Sequence, residues 1–162
     1  MKIYLDTNAF YFFFFEDKKF SKGIKKVFRK IQEGDYKGFT SCLTLDELSY
    51  TVLLRLIEKK YKKHPLDVIR KDKSVILDFV GVIHNIFDTI FSFENLTILD
   101  VSRNNVSFIP IMIEETRLLP RDCIHLMSML DNDCRDILST DTDFDHIEGI
   151  NRINPEANGR VR

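Results

Sequence analysis

Cysteine is scarce in this chain. Cys42, Cys123 and Cys134 form an odd set with no CxxC spacing, so the sequence offers no disulfide framework. All three fall in apolar-periodic segments and read as reduced, buried small side chains of a cytosolic protein. An excess of one charge is missing too. The 24 Lys and Arg against 25 Asp and Glu leave a net charge of -1, which excludes a polycation and requires any nucleic-acid affinity to come from local patches. No apolar run is expected to reach the length of a membrane span. The start, Met1-Lys2-Ile3-Tyr4-Leu5, is interrupted by Asp6 too early for a signal-peptide core. Tryptophan is absent while phenylalanine occurs 14 times, a bias with no functional meaning by itself. Repeats and low-complexity tracts are lacking.

What is present is an ordinary globular balance. The 162 residues are 44% hydrophobic and 30% charged, enough for one domain with a real core. Short apolar runs at Ile3–Leu5, Phe39–Cys42, Leu96–Val101 and Ile137–Thr140 read as strands, with a short edge strand at Arg152 and Ile153. Helical spacing covers Ala9–Phe15, Asp17–Gln32, Leu45–Lys60, Lys73–Phe91, Arg103–Arg117 and Pro120–Asp131. Gly34 ends the second helix, Pro65 breaks the pattern after the third, and Pro120 suits a first helical turn. Alternating strands and helices predict an α/β fold, a mostly parallel sheet with helices on both faces. In such a sheet the ligand site lies beyond the carboxyl ends of the strands.

Acidic residues fall where that site would be. Asp6 follows the first strand, Glu47 lies on the helix after the second, Asp122 follows Pro120, and Asp141 closes the fourth strand, with Asp143 and Asp145 close behind. Carboxylates gathered at one edge repel one another unless a cation neutralises them. Oxygen-only donors select Mg²⁺ or Mn²⁺, and the chemistry they support is phosphodiester cleavage. Asp6 could instead cap a helix, Glu47 and Asp122 could serve helix dipoles, and Asp143 and Asp145 could be loop solvators. His125, three residues after Asp122, reads as a buried histidine with local hydrogen bonds rather than a ligand or base. The run Tyr11-Phe12-Phe13-Phe14-Phe15 cannot all face one side of a helix, so most of it belongs to a core or an interface. Two basic faces could hold phosphates, one on the helix from Lys18 to Lys30 and one at Lys59, Lys60, Lys62 and Lys63. The sequence does not choose between them.

Four blocks carry a resemblance. Ile3-Tyr4-Leu5-Asp6-Thr7-Asn8, Ser41-Cys42-Leu43-Thr44-Leu45-Asp46-Glu47-Leu48, Arg121-Asp122-Cys123-Ile124-His125-Leu126 and Ser139-Thr140-Asp141-Thr142-Asp143-Phe144 occur in the order found in PIN domains. The chain resembles that family along its whole length and looks like the VapC-like toxins of type II toxin–antitoxin pairs. The resemblance implies a three-layer α/β/α fold as a single domain over residues 1–162, with an enlarged helical hairpin inserted at about 61–93. It implies a Mg²⁺- or Mn²⁺-dependent endoribonuclease in which Asp6, Glu47, Asp122 and Asp141 are catalytic and bind the metal. Asp143 would be a further ligand, with Thr7, Asn8 and Ser139 in support. Products would carry a 5′-phosphate and a 3′-hydroxyl. The implied partners are RNA, a small antitoxin and a second copy of the chain, in the cytoplasm and away from membranes. Cys123 stands where the family more often has alanine. The rivals are a non-catalytic RNA- or protein-binding module and an aspartyl phosphatase. The phosphatase would want an aspartate where Asn8 stands. Amide replacement of Asp6 or Asp122 is expected to relieve like-charge repulsion and leave the apo fold at least as stable.

Overall fold

The computed structural model of the chain describes residues 1–156; the expected end of the domain, 157–162, lies outside them. Five strands, β1 (Lys2–Leu5), β2 (Lys37–Ser41), β3 (Leu96–Leu99), β4 (Asp136–Leu138) and β5 (Asn151–Ile153), form one sheet in the order β3-β2-β1-β4-β5. Every neighbouring pair is parallel, so the sheet is wholly rather than mostly parallel. The edge strand expected at Arg152 and Ile153 is β5.

Two helices, α1 (Thr7–Phe14) and α2 (Ser21–Gln32), lead from β1 to β2. After β2 come α3 (Cys42–Tyr61), α4 (Pro65–Lys71), a 3₁₀ segment (Lys73–Phe79) and α5 (Val80–Phe91). Between β3 and β4 lie α6 (Arg103–Ser107), α7 (Ile109–Thr116) and α8 (Pro120–Leu130). Successive residues of a strand face opposite ways. Ile3 and Leu5 therefore enter a core with Phe10, Ile24, Phe28, Leu48 and Ile90, while Tyr4 enters a second core with Cys123, Leu126, Met129 and Phe144. These two cores make the three layers. On α2, a Cβ at Gly23 would collide with the Pro155 carbonyl oxygen, so only glycine lets that helix meet the chain after β5.

Several expected boundaries move for local reasons. The second helix begins at Ser21 because the Asp17 carboxylate accepts from the Lys19 and Phe20 N–H groups and holds a turn. Pro65 starts α4 in its first turn rather than merely ending a pattern. The helix expected over Arg103–Arg117 divides at Phe108, because Pro110 has no N–H to continue the ladder and fits only a first turn. The single helix expected over Lys73–Phe91 is a 3₁₀ segment followed by α5. An 18-residue window of that 19-residue stretch has a mean hydropathy of 1.5. By length and composition it could cross a membrane, contrary to the expectation that no stretch could. Here its Asp78 pairs with Lys60 at 2.7 Å, while Val75 and Phe79 join Ile57 and Val68 in a small third core. Cys42 is a further correction. The three thiols are free, but Cys42 is exposed, because it opens α3 just beyond the end of β2.

Candidate active site

In this sheet the chain runs outward from β1 through β2 to β3, then returns to place β4 on the other side of β1. The crevice beyond the carboxyl ends of β1 and β4 is thus the switch point where α/β folds bind ligands. Asp6 follows β1 there as the N-cap of α1, its carboxylate accepting from the Thr7 N–H at 2.6 Å. Capping and a site role are therefore compatible. The other carboxylate oxygen accepts from the Asn8 amide and, at 2.6 Å, from the Ser139 hydroxyl. Ser139 Oγ in turn accepts from the Asp141 N–H at 2.9 Å, and Asn8 Oδ1 accepts from the Thr140 N–H at 2.9 Å. These bonds lock the end of β4 onto the start of α1. Asp141 itself lies in the turn beyond β4, which ends at Leu138.

Glu47 comes from α3. Ser41 caps that helix, accepting from the Thr44 N–H, and so sets the turn that carries Glu47. Its Oε2 accepts from the Thr7 hydroxyl at 2.6 Å and lies 3.1 Å from His125 Nε2, and its Oε1 lies 3.5 Å from Arg121. His125 is buried as expected, but its partners are distant in sequence: Nδ1 lies 2.8 Å from the Tyr4 hydroxyl, which donates to Ser41 Oγ. It links β1 to α3 through α8 and sets the Glu47 carboxylate. His125→Ala is therefore expected to slow any Glu47-dependent reaction by roughly 10–100-fold without abolishing it, the usual scale for a side chain that orients a ligand. Steady-state rates alongside a thermal melt check this, and a full wild-type rate would remove the positioning role.

Asp6, Thr7, Asn8, Glu47, Asp122 and Asp141 line one open cavity of about 380 Å³. Ser139 is buried beneath it. Asp143 does not line the cavity, and its N–H donates to the Asp141 carboxylate at 3.0 Å. Asp145 is turned away and forks onto Arg152 at 2.6 and 2.7 Å. The carboxylates feel one another. Burial raises the Asp6 carboxyl above its ordinary range. Burial also pushes Asp122 up to about 6; the His125 charge opposes this, while those of Asp141, Asp6 and Asp143 add to it. Burial would raise Glu47 as well, but hydrogen bonds from His125 and Thr7 and the charges of His125 and Arg121 hold it below the usual value. The donors are all oxygen, which suits a hard divalent cation. Among the described residues no three ligand side chains already converge as a coordination cluster.

Sequence reasoning missed Thr51 and Arg55, which also line the cavity. Their signal was spacing: positions 47, 51 and 55 recur every four residues along α3 and share one helix face. Tyr11 and Phe12 of the aromatic run line it too.

The family description that matches is that of the PIN domain, over residues 3–150. The chain belongs to the PIN domain family. PIN domains are generally nucleases that use divalent metal ions. Among solved structures, this PIN chain is similar to VapBC2 from Rickettsia felis bound to a promoter DNA fragment, with 14% identity, a TM-score of 0.59, and 94% of this chain and 97% of that chain covered. It is also similar to a toxin–antitoxin complex from Klebsiella pneumoniae at 17% identity and a TM-score of 0.57, with 94% and 97% covered. FitAcB from Neisseria gonorrhoeae gives 18% identity and 0.55 over the same shares. Likeness at these identities shows the fold. No curated protein matches the sequence.

Proposed function

We propose that this PIN domain is a metal-dependent endoribonuclease and the toxin of a toxin–antitoxin pair. One observation carries the reading: Asp6, Glu47, Asp122 and Asp141 line a single cavity at the switch point, with Asp122 pushed up to about 6 by burial and further by the neighbouring carboxylates. A pure binding module gains nothing from such clustered charge. Asp6, Glu47, Asp122 and Asp141, with Asp143 at the margin, would hold Mg²⁺ or Mn²⁺. When bound, the cation would ease formation of hydroxide from water and offset charge growing on the phosphate. The chain's own groups do the positioning. Asn8 and Ser139 orient Asp6, and Thr7 and His125 orient Glu47. Arg121 and Arg55 stand at the cavity wall, exposed enough to meet a phosphate. The products would be a 5′-phosphate and a 3′-hydroxyl.

The test is a gel assay on a mixed RNA pool with Mn²⁺, with and without EDTA. Cleavage is expected only with the metal. An EDTA-insensitive rate, or no cleavage at all, would sink the proposal and put the binding-module reading first. The rest of the proposal is a small antitoxin that silences the enzyme, a cytoplasmic setting, and one domain over 1–162 with 61–93 as an insertion. We further propose a homodimer. Phe108, Ile111 and Leu119 are exposed around α7, and Leu77 and Phe91 are exposed in the insertion. Apolar surface of this extent is commonly covered by a partner. Light scattering should give twice the 19.1 kDa chain mass; a monomer mass across a wide concentration range excludes the dimer.

A further inference from the structure

Two features that are far apart in sequence meet beside the acidic cavity. The end of α1 and the end of α3 enclose an open groove of about 920 Å³. One side presents Tyr11, Phe14 and Phe15; the Tyr11 and Phe15 rings are stacked, with centroids 5.0 Å apart and planes 27° apart. The other side presents Arg55, Lys59, Lys62 and Lys63. The groove and the acidic cavity share Tyr11 and Arg55, so the two are continuous.

We propose that this groove is a subsite for single-stranded RNA, which holds the nucleotides flanking the bond placed at the acidic cavity. The inference rests on the nuclease reading and names where its substrate lies. Single strands are bound without strict sequence preference by aromatic faces that take bases beside cations that follow the backbone, and this groove has both. The charge balance favours an anion. Glu16 and Glu58 also line the groove, but Glu16 faces Lys25 at 3.8 Å and Glu58 faces Arg55 at 3.7 Å. Among the described residues Lys59, Lys62 and Lys63 have no ion-pair partner. Lys60, between them in sequence, is turned away onto Asp78. The left-handed backbone of Lys62, at φ 53°, ends α3 and turns the chain there, which keeps Lys62 and Lys63 at the groove. On this proposal the basic face that serves the site is the one at Lys59, Lys62 and Lys63. The α2 lysines line neither cavity, and Lys19, Lys25 and Lys30 are engaged with Glu156, Glu16 and Tyr36.

The test measures binding of a fluorescein-labelled decauridine RNA by anisotropy across a salt series. Ca²⁺ replaces Mn²⁺, and a gel confirms that the oligomer stays intact. The triple variant Lys59→Gln, Lys62→Gln, Lys63→Gln should bind at least about tenfold more weakly. Its slope of log affinity against log salt should flatten by about 2, since each phosphate contact on a single strand contributes about 0.7. Tyr11→Leu should weaken binding by roughly tenfold with the slope unchanged, as loss of one stacked base does. The paired change Lys22→Gln, Lys26→Gln on α2 should alter neither. If the triple variant keeps wild-type affinity and slope, the groove does not take RNA, and a protein segment becomes its better occupant. If instead the triple variant loses binding while the wild type fails to cut RNA in Mn²⁺, the groove stands and the nuclease reading falls.

Discussion

Asp6→Asn is expected to lower the rate of RNA cleavage by roughly 10³-fold while the protein remains folded. The carboxylate supplies charge at the centre of the site, and stabilisation of this kind is worth several kcal/mol, at about 1.4 kcal/mol for each tenfold in rate. The structure also alters the stability expected for this variant. Asp6 is only 8% exposed and accepts from the Thr7 N–H, the Asn8 amide and the Ser139 hydroxyl. An asparagine keeps one acceptor and turns an NH₂ group toward donors, and one buried donor left unmatched costs about 1–3 kcal/mol. Relief of a buried charge works in the other direction, since burial already disfavours the ionised form. The two effects oppose each other, so the gain in apo stability that repulsion alone would predict is not expected at Asp6. Initial rates with Mn²⁺, paired with circular dichroism and a thermal melt, read both effects. A variant that cuts within tenfold of wild type would end the metal-nuclease mechanism.

The difference between Asp6 and the other carboxylates shows what the sequence could and could not disclose. An apolar run ended by Asp6, and Pro120 just ahead of Asp122, are local signals, and the structure places both residues at the expected sheet edge. The order of strands and helices was legible because β1, β3 and β4 are short, mostly apolar runs bounded by polar residues. Partners across the sheet were not legible. Nothing near His125 in sequence announces Tyr4 or Glu47, because those contacts exist only once β1, α3 and α8 are stacked. The sequence set Asp141 at the end of the fourth strand and Asp143 two residues on as a further ligand or a loop solvator. In the structure Asp141 lines the cavity and Asp143 does not, its N–H donating to the Asp141 carboxylate. The single helix expected over Arg103–Arg117 ran through Pro110, whose missing N–H divides it in the structure.

Asp122→Asn should be as damaging to cleavage as the change at Asp6 and should stabilise the metal-free protein. Asp122 makes no hydrogen bond that an amide would break among the described contacts, and its carboxyl is pushed up to about 6 from an ordinary 3.8, first by burial and further by Asp141, Asp6 and Asp143. An acid whose folded-state value is raised holds its proton more tightly in the native protein than in the unfolded chain. Between about pH 4 and pH 6 the native state therefore binds more protons, and stability falls as pH rises through that window. Above it the full penalty is present. A gap of roughly two pH units corresponds to about 3 kcal/mol; Asp122 is only half-buried, and solvent screening reduces this to about 1–2 kcal/mol. Asparagine removes the penalty. Metal-free Asp122→Asn should melt roughly 3–6 °C above wild type at pH 7.5, and the two curves should converge near pH 4. Millimolar Mn²⁺ should reverse the order, because a ligand that binds only the native state raises the melting temperature, and more so the tighter it binds. Wild type keeps the charge that binds the cation, and the variant has lost it. Thermal melts at pH 4 and pH 7.5, each with EDTA and with Mn²⁺, test both halves. A variant that melts below wild type in EDTA at pH 7.5 would contradict the charge-repulsion account, and a wild type indifferent to Mn²⁺ would show that these carboxylates hold no metal.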